Sequence, residues 1–453
     1  SEMCIRDSLI IYLILAACCG FIVMMGELAL GRKTGRGAIG AYKVLSKRFK
    51  WLGWLGVLSA FLILGFYCAL GGYCLKYVTL NVGNLFHAGF GTGTLDGAGV
   101  FGALMANQGE AVIYGLIFVA LTMIIVMGGV GGGIEKVCSV GMPALFVMLV
   151  ICIIRSCTLE GASEGLKYMF VPGYAVKAGF FEKAPGFMEV LATAGGQMFF
   201  SLSLAMGAMI TYGSYLGKGE NLPKNSVIIV ISDTMVAIMA GLAVIPAAVA
   251  NGIAKGMAVS EIKLGGPNLL FATLQDVFHD MGTIGGIFGL IFYALVLIAA
   301  ISSAISLIEA VSVTFIDHAS AKGHERDRNK VLAVVCLAIT LLACLVAVDG
   351  LGSNGIAPKD LFHINSKADW CADWLDFMDM ISEGIAMPLG AMLMSIMVGW
   401  EIKPKSLYGE IDSGYNGHIH GFYTFCIKYL CPVIMFFILL VQISTFFGLG
   451  WFN

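Results

Sequence analysis

The chain has 453 residues, of which 58% are hydrophobic and only 12% charged, about half the ~25% of an ordinary soluble protein. Its formal net charge of −2 provides no basic footprint for nucleic acid. These figures exclude a soluble multidomain protein and describe a polytopic membrane protein.

Ten apolar runs follow in chain order, at about 8–30, 52–80, 111–130, 134–156, 187–213, 226–250, 284–316, 331–348, 375–399 and 421–447. Each reaches or nears the ~20 residues that carry a helix across a ~30 Å hydrocarbon layer. Backbone groups in lipid have no water to bond, so these runs are expected as helices; period-2 barrel strands are absent from the pattern. The fold class is therefore all-α. The 13 cysteines lie mostly inside the runs, without C-x-x-C spacing, and read as small buried hydrophobes rather than a disulfide framework or zinc site.

Lys and Arg are unevenly divided between the connecting segments. Segment 31–50 holds seven and no acid, and its side of the membrane carries sixteen against eight on the other. The richer side is expected to be cytoplasmic, which places both chain ends outside. The opening octet SEMCIRDS is polar and abrupt. It reads as an extraneous or truncated leader over 1–8, followed by a single transporter domain over 9–453 and implying a missing upstream helix.

Polar groups inside a span are costly and mark candidate pathways. Tyr12 and Tyr67 offer hydroxyls in mid-helix, although a lone tyrosine is more often core. The run 187–213 carries Gln197, Ser201 and Ser203 in GGQMFFSLSLAMGAMITYGSY. It has the look of a discontinuous helix with exposed backbone groups, or of a helix using Gly and Ser for close packing. Asp233 is an isolated carboxylate near the start of 226–250, either functional or interfacial. In AAISSAIS, Ser302 and Ser303 stand side by side with Ala299 one turn earlier. Such oxygens suit Na⁺, while back-bonding of Ser to carbonyls is the bland alternative. The stretch GGVGGG at 128–133 lacks a βαβ setting and reads as a tight turn. His418 and His420 lack a third metal ligand and read as a solvated turn. No grouping resembles a catalytic constellation, and no organic cofactor or nucleic-acid partner is expected.

The motifs together resemble the bacterial neurotransmitter:sodium symporter family, the sodium-dependent amino-acid transporters exemplified by the bacterial leucine transporter. The resemblance rests on GELALGR (26–32), ILGFY (63–67), the 195–215 stretch, AGLAVIPAAV (240–249), GPNLLFATL (266–274), AAISSAIS (299–306) and LDFMDMI (375–381). It implies an inverted repeat of five plus five helices, of which this chain carries family helices two to eleven, N-terminally truncated. It also implies a substrate pocket of Ile63, Tyr67, Phe200, Ser201, Ser203, Met206, Ser303 and Leu307. Tyr67 would hydrogen-bond the substrate carboxylate, and Phe200 would close over it. Ala205 stands where glycine is usual, next to the expected unwound segment.

The resemblance further implies one sodium site at Ala299, Ser302 and Ser303 and another at Ser201 and Asp233, each completed by the absent helix. Tyr12 and Gln197, with Ser201, match part of a chloride site; Asp233 supplies a charge there, so chloride independence is expected. Asp379 and Asp317 match outer-gate and cytoplasmic-gate carboxylates whose Arg partners would lie upstream, leaving both unpaired. The implied function is Na⁺-coupled import of a neutral, hydrophobic or aromatic amino acid by alternating access, in the bacterial inner membrane. The alternatives are a transport-incompetent fragment of such a symporter and a related-fold carrier for another small solute.

Overall fold

In the computed structural model, which describes residues 5–128, 135–171, 173–180, 186–262, 264–320, 327–363, 369–414 and 419–451, the ten apolar runs become nine continuous helices and one broken one. The first four are α1 (Leu9–Thr34), α2 (Leu52–Leu85), α3 (Gln108–Met127) and α4 (Ser139–Cys157). The broken helix is split into α5 (Phe187–Ser201) and α6 (Ala208–Tyr215). Then follow α7 (Leu222–Ala254), α8 (Ile284–Ala319), α9 (Arg328–Asp349), α10 (Trp374–Glu401) and α11 (His420–Phe446). No strand occurs among the described residues, as the sequence leads one to expect. Residues 1–4 of the opening octet, 129–133 of the glycine-rich stretch and His418 lie outside the described residues.

Helix ends fall where the sequence supplies caps. The Asn107 side chain accepts the Glu110 N–H at 3.2 Å to start α3, and Asn221 accepts the Lys224 N–H at 2.9 Å to start α7. Asp373 does the same for α10, taking the Asp376 N–H at 2.7 Å. Each satisfies one of the N–H groups a helix start leaves open. Gly350, at φ 57°, ends α9 in the left-handed conformation that costs glycine least.

Burial separates an inner group of helices from an outer one. In their most apolar windows α1, α2 and α10 are 61%, 67% and 61% buried, against 17% for α7 and 22% for α4. The first three therefore form the scaffold, while α4 and α7 present apolar flanks outward. On the side away from the Lys- and Arg-rich loops, the short helical segment 266–280 inserts Phe271, which is 1% exposed, among Tyr73, Tyr77, Phe101 and Tyr293. That plug is the structural use of the GPNLLFATL motif.

Close approach at the centre depends on glycine. A Cβ at Gly31 of α1 would overlap the Ile210 carbonyl of α6, and one at Gly213 of α6 would overlap the Leu28 carbonyl of α1. The two glycines thus make a reciprocal backbone seam, the small-residue packing that membrane helices use in place of a hydrophobic driving force. Substituting Gly213 with Val should cost about 1–3 kcal/mol through overpacking and lower the melting temperature of purified protein. Gly217→Ala, with open space around it, should leave it unchanged.

Candidate functional site at the broken helix

Between α5 and α6 the chain abandons helical geometry over residues 202–207. Ser203 (φ 53°), Ala205 (φ 59°) and Gly207 (φ 80°) are all left-handed, and for the first two a Cβ makes that conformation unfavourable. The backbone is held there by specific bonds. Ser203 N–H donates to the Phe200 carbonyl at 3.2 Å and Leu204 N–H to that of Phe199 at 3.0 Å. Ala205 N–H donates to Oε1 of Glu27 on α1 at 3.1 Å. Glu27 is 1% exposed, and its other oxygen has no hydrogen-bond partner among the described residues. Sequence reasoning used Glu27 only as part of a motif, although an acid in the middle of an apolar run was itself a signal.

The break opens on a cavity of about 420 Å³. All eight expected pocket residues line it: Ile63 and Tyr67 from α2, Phe200 and Ser201 from the end of α5, Ser203 and Met206 from the break, and Ser303 and Leu307 from α8. Gln197 and Ser302 line it too. Met142, Met209 and Tyr212 also face it and were not anticipated; for Met142 of α4 no sequence signal exists. The walls combine the hydroxyls of Tyr67, Tyr212 and five serines with apolar side chains. No charged side chain lines the cavity among the described residues.

The oxygen groups fall into two clusters. Ser302 Oγ donates to the Ala299 carbonyl at 2.9 Å and Ser306 Oγ to the Ser302 carbonyl at 2.9 Å, so the back-bonding alternative describes this state of α8. It also brings two of the three expected ligand oxygens together. In the second cluster, Oδ2 of Asp233 accepts from Ser201 Oγ at 2.6 Å and from the Tyr12 hydroxyl at 3.1 Å. Tyr12, Ser201 and Asp233 thus meet from α1, α5 and α7, which are far apart in sequence.

Neither gate carboxylate forms an ion pair with Lys or Arg among the described residues, and each meets another group instead. Asp317 Oδ2 accepts the Gly37 N–H at 2.6 Å from the turn after α1. Asp379 meets Glu383 one turn on, across a π-helical stretch at Met380–Ala386. Glu383 in turn lies against α5, where a Cβ at Gly196 would sit 2.9 Å from its Oε1. A carboxylate needs donors rather than an Arg in particular, and a free backbone N–H or a neighbouring carboxyl can serve. His420 bonds Asp412 at 2.6 Å and stacks on Tyr408, which accounts for it structurally.

Residues 103–453 match the model of the sodium:neurotransmitter symporter family. The chain is similar to an uncharacterised sodium-dependent transporter, YhdH, of Bacillus subtilis, at 32% identity over 96% of this chain and 90% of the relative. A second such transporter, from Haemophilus influenzae, is 30% identical over 94% of this chain and 88% of its own length. Among solved structures, the crystal structure of MhsT in complex with L-phenylalanine superposes with a TM-score of 0.81 at 30% identity, covering 96% of this chain and 91% of that one. The left-handed Ala205 gives a direct test of the strain at the break. Ala205→Gly should raise stability by about 1 kcal/mol, read as a higher melting temperature of the purified protein.

Proposed function

The chain belongs to the sodium:neurotransmitter symporter family, and from that premise we propose that it imports a neutral, hydrophobic or aromatic amino acid together with Na⁺ across the bacterial inner membrane. The observation that carries this reading is the cavity at the helix break, which collects the family-matched side chains from α2, α5, α8 and the irregular segment. Its size falls within the 300–1,000 Å³ of ordinary small-ligand sites. A wall without charged side chains suits a solute whose own charges are met by backbone and hydroxyl groups. The C-terminal carbonyls of α5 favour an ammonium, and the N-terminal amides of α6 favour a carboxylate. Tyr67 then donates its hydroxyl proton to the carboxylate, while Phe200, Met206 and Leu307 surround an apolar side chain. Methionine provides an adaptable wall for a bulky one.

Sodium is cargo and also supplies the coupling. At α8, the Ser302 hydroxyl must turn its proton away from the Ala299 carbonyl so that both oxygens, with Ser303, face the ion. At α5 and α7, Ser201 and Asp233 offer a hydroxyl and a carboxylate, with Tyr12 holding the latter in place. Because Ser201 and Ser303 belong to the ion clusters and to the cavity wall, an ion bound beside either alters the substrate surface directly. Ions and substrate that favour one inward or outward form over the other shift the balance by their difference in affinity. Asp379 and Asp317, at opposite ends of the transport path, are the carboxylates that open and close with that shift. The mechanism requires no chemistry on the substrate.

Binding of radiolabelled L-phenylalanine to purified protein, with and without Na⁺, tests the reading. Na⁺ should strengthen binding by at least about tenfold, equivalent to 1.4 kcal/mol, and Ser302→Ala with Ser303→Ala should abolish the gain. Binding that ignores Na⁺, or a double variant with normal binding at low Na⁺, would sink it. A second expectation concerns the anion. Asp233 already places a negative charge beside Tyr12 and Ser201, so replacing chloride with gluconate should leave Na⁺-dependent binding unchanged.

A further inference from the structure

A groove of about 850 Å³ lies on the outer surface, twice the size of the central cavity. It lies between α2, α8 and α9. Its walls are Val57, Leu58 and Phe61 on one flank and Val331, Val334 and Val335 on the other. Trp54, at one end of the groove, packs edge-on against Phe315 and His318 of α8 with ring centroids 6.0 and 5.5 Å away. α2 and α9 both begin at this end, and α8 finishes there, so the mouth opens on the Lys- and Arg-rich side. From Trp54 to Phe61, and from Val331 to Ala338, the walls run seven residues, about 10 Å at 1.5 Å per residue. That depth lies within one leaflet, half of a ~30 Å hydrocarbon layer. Trp54 is 46% exposed, Leu58 45% and Val334 66%.

The mouth is predominantly basic, with Asp327 the one acid among its described lining residues. Lys330 lines it, and Lys50, Arg48 and Lys47 lie just ahead of α2, with Lys50 one helical turn before Trp54. All four are exposed, and among the described residues none of them forms an ion pair. Among the other described charged groups nearby, Arg328 is paired with an acid, and the two aspartates accept backbone N–H groups without being neutralised. Arg328 bonds Glu309 at 2.6 Å, Asp317 takes the Gly37 N–H, and Asp327 caps α9 by accepting the Asn329 N–H at 3.0 Å. Tryptophan is at home at headgroup depth, and Trp51 and Trp54 mark that depth here. An apolar concavity one leaflet deep, with uncommitted cations at its rim, matches a molecule with an acyl chain and an anionic head.

We infer that this groove is a binding site for an anionic phospholipid, whose chain lies along α2 and α9 and whose headgroup sits on Lys330 and the basic residues ahead of α2. Charge argues against a second copy of the chain in the same place. Two copies related by an axis along the membrane normal would bring identical cations together at the same depth. A zwitterionic lipid would fill the apolar walls but bring a cationic group of its own to the basic rim.

The test uses the purified 453-residue chain in nanodiscs of equal phosphatidylcholine and phosphatidylglycerol, with bromine placed on the chains of one lipid or the other. Quenching of Trp54 is taken as the difference between wild type and Trp54→Phe. Brominated phosphatidylglycerol should quench it at least about twofold more than brominated phosphatidylcholine. The preference should vanish in Lys330→Gln combined with Arg48→Gln and Lys50→Gln, and persist in Lys330→Arg, with unchanged circular dichroism. Equal quenching by the two lipids in the wild type would overturn the assignment, whatever the variants do. So would a preference that survives the triple substitution, or a Trp54 shielded from both lipids in a protein that light scattering shows to be a dimer.

Discussion

The centre of this protein depends on how backbone groups are satisfied where α5 gives way to α6. Inside a bilayer a peptide N–H without a partner costs several kcal/mol, so a helix can stop at mid-depth only if something nearby takes over its bonds. Part of that role falls to the carbonyls of Phe199 and Phe200, which are reused by the turn that follows. Glu27 takes another part, reaching from α1 to accept the Ala205 N–H. The left-handed residues Ser203 and Ala205 persist because these bonds, and the packing of α1 behind them, leave the segment no better place to go. The cavity, the ion clusters and the ligand-facing helix ends all follow from that interruption.

Acids within the apolar interior follow a consistent rule: each described above meets a nearby donor or a neighbouring acid. Asp233 is held by two hydroxyls and Asp317 by a backbone N–H. Glu309 is held by the Tyr215 hydroxyl together with Arg328. Only the last involves a full opposite charge. Hydroxyl and amide donors steady a carboxylate without neutralising it, so the negative charge stays available to a passing cation. A carboxylate already locked to an arginine would have little left to offer Na⁺.

Much of this was legible in the sequence, and the parts that were not have physical reasons. Helix positions followed from apolar length alone, because lipid leaves the backbone few options; the limits of α8 and α10 agree with expectation to within about three residues. The break at 202–207 could be read because glycine and serine crowd around it. The pocket residues could be placed because a run of matching motifs fixed their register. What escaped was pairing across the fold. Nothing in LDFMDMISEG says that Glu383 will turn towards Gly196, and nothing near Asp317 says that Gly37 will approach it. Met142 belongs to an otherwise ordinary outer helix and gains its position only from tertiary packing. The back-bonded Ser302 shows the limit in another form: the sequence named the oxygens but not which way the hydroxyl proton points.

The glycine seam between α1 and α6 has a mechanical corollary. Where helices touch through side chains, rotamer changes let one slide past the other in small steps. At Gly31 and Gly213 the contact is backbone against carbonyl, with no side chain to yield. The two helices are therefore geared: they must turn as one lever or part altogether. Any rotation of α6 as the cavity opens would carry α1 with it, and with α1 the Glu27 carboxylate that anchors the break. The hinge and its anchor would then travel together, so the interrupted backbone could keep its bonds throughout the stroke.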